Sequence, residues 1–286
     1  MLMGLETELA ILGGWTLEKA LSILSEVAKF PHLQDMSGTA AFLQNGAKSY
    51  VDESKHNEYC TPEVDNPISL VTHDIAGREF MQTCAERAGL SLITSNICYQ
   101  TGNAWGSHEN YSARQEPSEE QFRDLYTHLA TRIIYTGGGG IDPTDHGIIP
   151  VYSTRAAITT CTEGCQGAEC RSLLFHKPSN YGAGFRIHVP CGESLLSPLA
   201  TYLRFATTSL VVELMSKGLR AGCAPLVDPI ESMHTINRAM NLHQRFECED
   251  GERRTAIEIQ EGILADILAR LPELPVWAEP ACRICG

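Results

Sequence analysis

Residues 48 to 63, KSYVDESKHNEYCTPE, gather many titratable side chains with no long apolar run to hide them. Lys48, Tyr50 and Asp52 alternate, so a strand over 47 to 52 would aim all three at one face. Glu6 and Glu8 alternate in the same way within GLETELAIL, opposite Leu5, Thr7 and Leu9. Two such strands side by side would bring Glu6, Tyr50 and Asp52 together, with Glu8 on the same face and Glu58 and Glu63 following. Grouped carboxylates raise one another's pKa, and a divalent cation removes that cost. An oxygen-rich cluster suits magnesium, which bridges protein carboxylates and nucleotide phosphates. The competing reading is that each acid meets solvent separately.

Two further segments extend the pattern. In GSHENY (106–111) a strand would place His108 and Asn110 on one face, although a single histidine there is more commonly a satisfied surface or core residue. In FRIHV (185–189) Arg186 and His188 share a face opposite Phe185, Ile187 and Val189. A cation beside a metal-ligand candidate suits phosphate handling. The tetraglycine 137–140 lacks the following Gly-Lys-Ser/Thr of a phosphate loop and reads as a turn that closes a helix.

The elements that must position these residues are legible from periodicity. GLETELAIL and SHENYSA read as strands, AFLQNGAKSYVD as a hairpin turning at Asn45-Gly46, and LSLITSNICY (90–99) and FRIHVP as further strands. Helices are expected over 17–30, with Leu17, Leu21, Leu24 and Val27 on the apolar stripe, and over 76–89, closed by Gly89. Another is expected over 118–135, opened by a Ser118/Gln121 capping box. The longest, 195–218, carries Leu199, Leu203, Ala206, Leu210 and Leu214 on one stripe and stops at Gly218. ESMHTINRAM and TAIEIQEGILADILARL add two more, the last ended by Pro272. Strands mixed with helices, without a strict βαβ rhythm, indicate an α+β fold with a largely antiparallel sheet.

Composition narrows the class. The net charge is 22 − 35 = −13, which makes the chain a poor general binder of nucleic acid or anionic membrane. No apolar run reaches the roughly 18 residues of a membrane span. The N-terminus has neither the basic nor the apolar region of a signal peptide, so the cytoplasm is the expected compartment. Eleven cysteines are then expected as free thiols. Cys161, Cys165 and Cys170 cluster, and Cys282 and Cys285 have zinc-ligand spacing, but no second pair matches them, so thiols are favoured over zinc.

GLETE, NGAKSYVDESKHNEYCTPE, GSHENY and RIHV followed by a long apolar helix resemble, in order, the motifs of the Pup ligase and depupylase family. These are carboxylate–amine ligases of the glutamine-synthetase superfamily. The resemblance implies a curved, largely antiparallel sheet packed on helices, a glutamine-synthetase-like catalytic domain, with ATP and magnesium in its concave face. It implies Glu6, Tyr50 and Glu58 as magnesium ligands, with His188 as a further one, and Thr61 as a nucleotide contact. Lys48 stands where the family usually has an ATP-binding arginine, Asp52 would be the catalytic base and Arg186 a phosphate contact.

The gap from Asp52 to His56 has the longer, ligase-like form, and no extra loop is evident before Tyr50. The expected activity is therefore ATP-dependent amide or isopeptide formation through an acyl phosphate. Amide hydrolysis of the depupylase kind, or an inactive binding relative, are the alternatives. The chain is expected to be one catalytic domain over 1–286, without the family's small C-terminal domain. Substrates would be a carboxylate on a small molecule or a peptide such as a Pup-like tag, and an amine; homo-oligomerisation is a possibility. The sequence departs from the family at Lys48, which lacks an arginine's bidentate fork, and in having His-Asn-Glu for His-Pro-Glu.

Overall fold

The computed structural model describes residues 1–34, 38–52, 56–164, 171–178, 184–222 and 224–285. Its strands are β1 (Met3–Ile11), β2 (His32–Gln34), β3 (Ala40–Leu43), β4 (Lys48–Val51), β5 (Asn57–Cys60), β6 (Leu92–Ile93), β7 (Ser107–Ala113), β8 (Gly140–Ile141), β9 (Pro150–Val151), β10 (Cys161–Glu163), β11 (Ser172–Pro178), β12 (Phe185–Val189), β13 (Arg245–Glu247) and β14 (Arg253–Thr255). The helices are α1 (Leu17–Val27), α2 (Pro67–Arg87), α3 (Glu119–Thr131), α4 (Ile133–Thr136), α5 (Thr154–Ile158), α6 (Pro198–Ser216), α7 (Pro229–Ala239), α8 (Ala256–Ala269) and α9 (Ala278–Cys285).

One large sheet runs in the order β10-β11-β12-β7-β1-β5-β4-β3-β2, with β6 attached to β1; β8-β9 and β13-β14 are separate two-stranded ribbons. Among the described residues only β10 and β11 pair in parallel within the large sheet, so the largely antiparallel α+β expectation holds. Alternation fixes its two faces. Met3, Leu5, Leu9 and Ile11 of β1, Tyr111 and Ala113 of β7, and Ile187 and Val189 of β12 are all buried apolar positions. All but Leu9 and Ile11 form a core with α3, α6 and α8 behind the sheet. Leu9 and Ile11 belong to a second apolar cluster, which joins α1 and α2 to the β3–β5 end. The opposite face carries the polar residues of the same strands.

Strand order differs from the side-by-side arrangement expected for Glu6 and Tyr50. β5 lies between β1 and β4, so Glu58 separates them. The hairpin at Asn45-Gly46 is as expected: Gly46 takes φ 89° and the Asn45 side chain accepts from Ala47 N–H. Helix α1 is rotated from the expected stripe. Ala20, Ile23, Leu24 and Val27 are buried, whereas Leu17 and Leu21 are exposed. Helix α2 starts well before residue 76, at an Asn66 cap followed by Pro67. Its buried stripe includes Asp74 and Gly77, which break an apolar pattern. A Cβ on Gly77 would come 2.0 Å from the Tyr59 ring, so glycine allows α2 to lie directly on β5.

Of the strand expected over 90–99, only Leu92–Ile93 forms. Ser95 and Asn96 turn their side chains to nearby backbone instead, at Ile97 and Ser194. The capping box at Ser118/Gln121 opens α3, and Arg132 divides that segment into α3 and α4. In α6, Ala206, Leu210 and Leu214 are buried as expected but Leu199 is exposed; Gly218 follows at φ 73°. Among the described residues no helix is long and apolar enough to cross a membrane. Cys165 and Cys170, and the side chain of Cys285, fall outside what is described. Cys161 and Cys282 are free.

Candidate active site

The polar face is built by cross-strand register. One row runs Lys48, Cys60, Glu6, His108, and a second runs Tyr50, Glu58, Glu8. On the far side of β1, Asn110 sits opposite His188. Directly paired residues in a sheet share a face, so these side chains converge without any loop having to bring them there.

Glu6 anchors the first group. Its Oε1 accepts from Asn110 Nδ2 at 3.0 Å and from Arg186 Nη2 at 2.8 Å, and its Oε2 lies 3.5 Å from His108 Nδ1. Burial opposes ionisation, but the contact with His108 and the charges of His188, His108 and Arg186 prevail and hold the Glu6 carboxyl at about 2. The Asn110 amide oxygen accepts from both Nε (2.9 Å) and Nη2 (2.6 Å) of Arg186 and lies 2.8 Å from His188 Nδ1. An oxygen in that role takes Nδ1–H from the neutral ring, which leaves Nε2 as the nitrogen with a lone pair.

Glu8 anchors the second group. Its Oε2 accepts Gly106 N–H at 2.5 Å and lies 3.4 Å from His56 Nδ1, while its Oε1 is 3.6 Å from His108 Nε2. Against burial, the neighbouring His56 and His108 and the Gly106 N–H lower the Glu8 carboxyl to about 2. Gly106 has a second role: a Cβ there would come 2.2 Å from His108 Nε2, so only glycine leaves room for that ring. Asp52 lies just past β4. Its Oδ1 accepts His56 N–H at 2.6 Å, and its own N–H donates to His56 O at 3.0 Å. The His56 ring packs against Trp105, centroids 5.8 Å apart. Burial pushes the His56 ring down, but Glu8, Asp52 and Glu58 outweigh it and raise it.

Glu58 is the unbalanced member. It is 3% exposed, and its Oε1 is buried without a hydrogen-bond partner. Burial and the charge of Glu6 push its carboxyl up to about 7. Burial also raises the Tyr50 phenol far out of reach, so that it stays neutral beside Glu58. A buried carboxylate oxygen with no donor, flanked by two ionised acids, is what a bound cation would complete. The donor atoms of Glu6, His108 and His188 lie within 4.8 Å of one another, as do those of Glu8, Asp52 and His56. These residues fit a divalent cation. Lys48 holds its ammonium 4.0 Å from the Tyr50 ring centroid and 5.3 Å from that of Phe42.

The remaining expected residues fall differently. Thr61 is buried beside β1, where its Oγ1 accepts Leu5 N–H and its own N–H donates to Leu5 O. Glu63 is exposed and stands outside the cluster. The structure adds three residues that sequence reasoning left unassigned: His56, His108 and Asn110. The last two were marked by their alternation in SHENYSA. His56 carried no signal beyond its distance from Asp52.

Comparison with known proteins identifies the family and the fold. The family model described as Pup-ligase protein matches residues 15–274. The Pup–protein ligase of Kineococcus radiotolerans is 30% identical over 282 residues, covering 92% of this chain and 62% of that protein. The Pup deamidase/depupylase of Mycolicibacterium smegmatis is 31% identical over 242 residues, covering 80% and 48%. The chain thus spans less than two thirds of the length of these curated relatives. Among solved structures, the Pup ligase PafA in complex with Pup superimposes with a TM-score of 0.80 at 23% identity, over 100% of this chain and 63% of that one. PafA in complex with ADP gives 0.73 at 23% identity, over 87% and 59%. The fold is that of PafA, and the chain belongs to the Pup-ligase family.

Proposed function

We propose that this polar face is the active site of an ATP-dependent carboxylate–amine ligase, contained in a single catalytic domain and working in the cytoplasm. The observation that carries the reading is the buried oxygen of Glu58, partnerless among the described residues, amid Glu6, Glu8 and Tyr50 and one strand away from Lys48. In this reading Glu6, Glu8, Glu58, Tyr50 and His188 would hold magnesium, which when bound neutralises charge on phosphoryl oxygens. Lys48 marks the nucleotide side of the groove, and Arg186 faces the phosphoryl group.

A carboxylate resists amine attack because oxide would have to leave. In the proposed reaction a carboxylate oxygen bonds to the γ-phosphorus of ATP as the bridging P–O bond breaks and ADP departs. Asp52 then takes a proton from the incoming ammonium. The freed nitrogen attacks the acyl carbon, the C–O bond to phosphate breaks, and phosphate leaves with the electron pair and the nitrogen's surplus proton. The His56 N–H bound to Asp52 Oδ1 holds that carboxylate within 4.8 Å of Glu8. By analogy with its relatives, the acid is a Pup-like tag and the amine belongs to an acceptor protein.

The test is ADP release with Pup, or candidate small acids, plus an amine acceptor. The expected result is one ADP per amide formed, with turnover abolished in Asp52→Asn; turnover unaltered in that variant would remove Asp52 as the base. The depupylase relative supports a second reading, amide hydrolysis at the same site. Product formation without stoichiometric ADP release would favour it. Failure to bind ATP with magnesium in calorimetry would remove both.

A further inference from the structure

Three arginines are buried behind and beside the site, and they are not equivalent. Arg132 and Arg204 share the carboxylate of Glu109. Arg155, in the short helix α5, is 9% exposed and has no ion pair among the described residues. Its Nη2 donates to Pro190 O at 2.7 Å, and its Nε is buried with no partner among the described residues. Burying a guanidinium with no direct ion pair and an unfilled N–H is unfavourable, so such a group points to an anion that the described residues do not supply.

Hydrogen bonds tie the residue to the strands that carry the acidic groove. The Arg155 N–H and Thr154 Oγ1 both donate to Glu193 Oε1, which fixes the helix to the turn after β12. That turn begins at Pro190, two residues past His188, and its Gly192 O accepts Ser107 N–H. The residue before Ser107 is Gly106, whose N–H binds Glu8. Glu8 is also the foremost acid acting on the Arg155 charge. Arg186 is engaged by Glu6 and Asn110, and Lys48 lies over the Tyr50 ring.

We propose that Arg155 binds an anionic oxygen of the reacting groups, either that of the substrate acid, as carboxylate and then acyl phosphate, or that of the terminal phosphoryl of the nucleotide. The proposal rests on the ligase reading. It adds a second guanidinium to that of Arg186, able to neutralise negative charge on the phosphoryl oxygens or the substrate carboxylate.

Arg155→Met and Arg155→Lys test it, with three readouts: thermal unfolding, calorimetry with the magnesium complexes of ADP and of β,γ-imido-ATP, and ADP release titrated with Pup. Arg155→Met is expected to hold or raise the melting temperature, because it removes an unpaired buried charge, and to leave ADP affinity within about twofold. A rise of at least about tenfold in the KM for Pup assigns Arg155 to the acid, and a comparable loss of imido-ATP affinity assigns it to the phosphoryl group. Arg155→Lys should recover part of either loss, and it carries the comparison alone should the methionine variant not fold. A folded variant with wild-type KM and wild-type imido-ATP affinity overturns the proposal. So does an equal loss of ADP binding and thermal stability in both variants, which would mark a purely structural arginine. Wild-type protein that binds no nucleotide overturns the ligase reading instead. Inorganic phosphate then serves as the probe: weaker binding to Arg155→Met retains the anion site, and equal binding removes it.

Discussion

Strand β7 carries two ionic systems on its two faces, and they are solved in opposite ways. Behind the sheet, Glu109 is fully buried and fully answered. Arg132 reaches it with Nη2 at 2.5 Å and Nη1 at 2.9 Å, Tyr111 donates its hydroxyl, and Arg204 stands 3.8 Å away. Burial works against ionisation, yet the two arginines lower the Glu109 carboxyl. On the front, one residue either side, His108 and Asn110 face Glu6, Glu8 and Glu58, and one carboxyl is pushed up to about 7. The back is a rivet that ties α3 and α6 to the sheet. The front is left short of positive charge. Charges completed within the chain serve stability; charges left incomplete serve a ligand.

That contrast can be broken by experiments whose outcomes should cross. The largest effect belongs to the front. Asp52→Asn should reduce amide formation by roughly a hundred- to ten-thousand-fold while leaving the unfolding midpoint in denaturant unchanged. On the back, Glu109→Gln should lower folding stability by about 3–5 kcal/mol, because it strands two buried guanidinium groups. If Glu109→Gln instead abolished turnover at wild-type stability, the division of roles would be wrong.

Magnesium at about a hundred times its Kd should stabilise wild-type protein by about 2.7 kcal/mol in thermal unfolding. Glu58→Gln should lose most of that gain, yet be at least as stable as wild type without metal, since it removes a repelled buried charge. The smallest effect concerns His128, fully buried near Arg132 and 3.0 Å from Thr208 Oγ1. Burial, then Arg132, push its ring well below the ordinary 6.5. The unfolded chain takes up a proton that the folded one refuses, so this contribution is complete above pH 6.5 and falls as the solution is acidified. Urea titrations at two pH values should show a loss of up to about 1.4 kcal/mol per pH unit that is absent in His128→Gln.

How much of this was legible in the sequence depended on whether a property was local. Which face Glu6, Glu8, Lys48 and Tyr50 occupy follows from strand alternation alone. Gly46 and the capping box at Ser118 likewise carry their own signals. Strand order is not local. Nothing in KSYVDES or NEYC says that β5 inserts between β1 and β4, and this insertion is what puts Glu58 at the centre of the cluster. The phase of α1 was misread because Leu17 and Leu21 imitate a buried stripe, whereas small Ala20 is what faces the sheet. His108 was discounted because one histidine on a strand has no preferred meaning until Glu6 and Glu8 flank it. Arg155 gave no warning, since burial of a charge is decided by the elements around it.

The alternation of β7 has a consequence for heredity. His108-Glu109-Asn110-Tyr111 interleaves front and back parts letter by letter. A slip of one residue would turn Glu109 into the groove and drive His108 and Asn110 against α3 and α6. Single-residue insertions or deletions within this strand should therefore be barred by two independent penalties at once. Each part can be replaced by substitution, but the reading frame between them cannot drift.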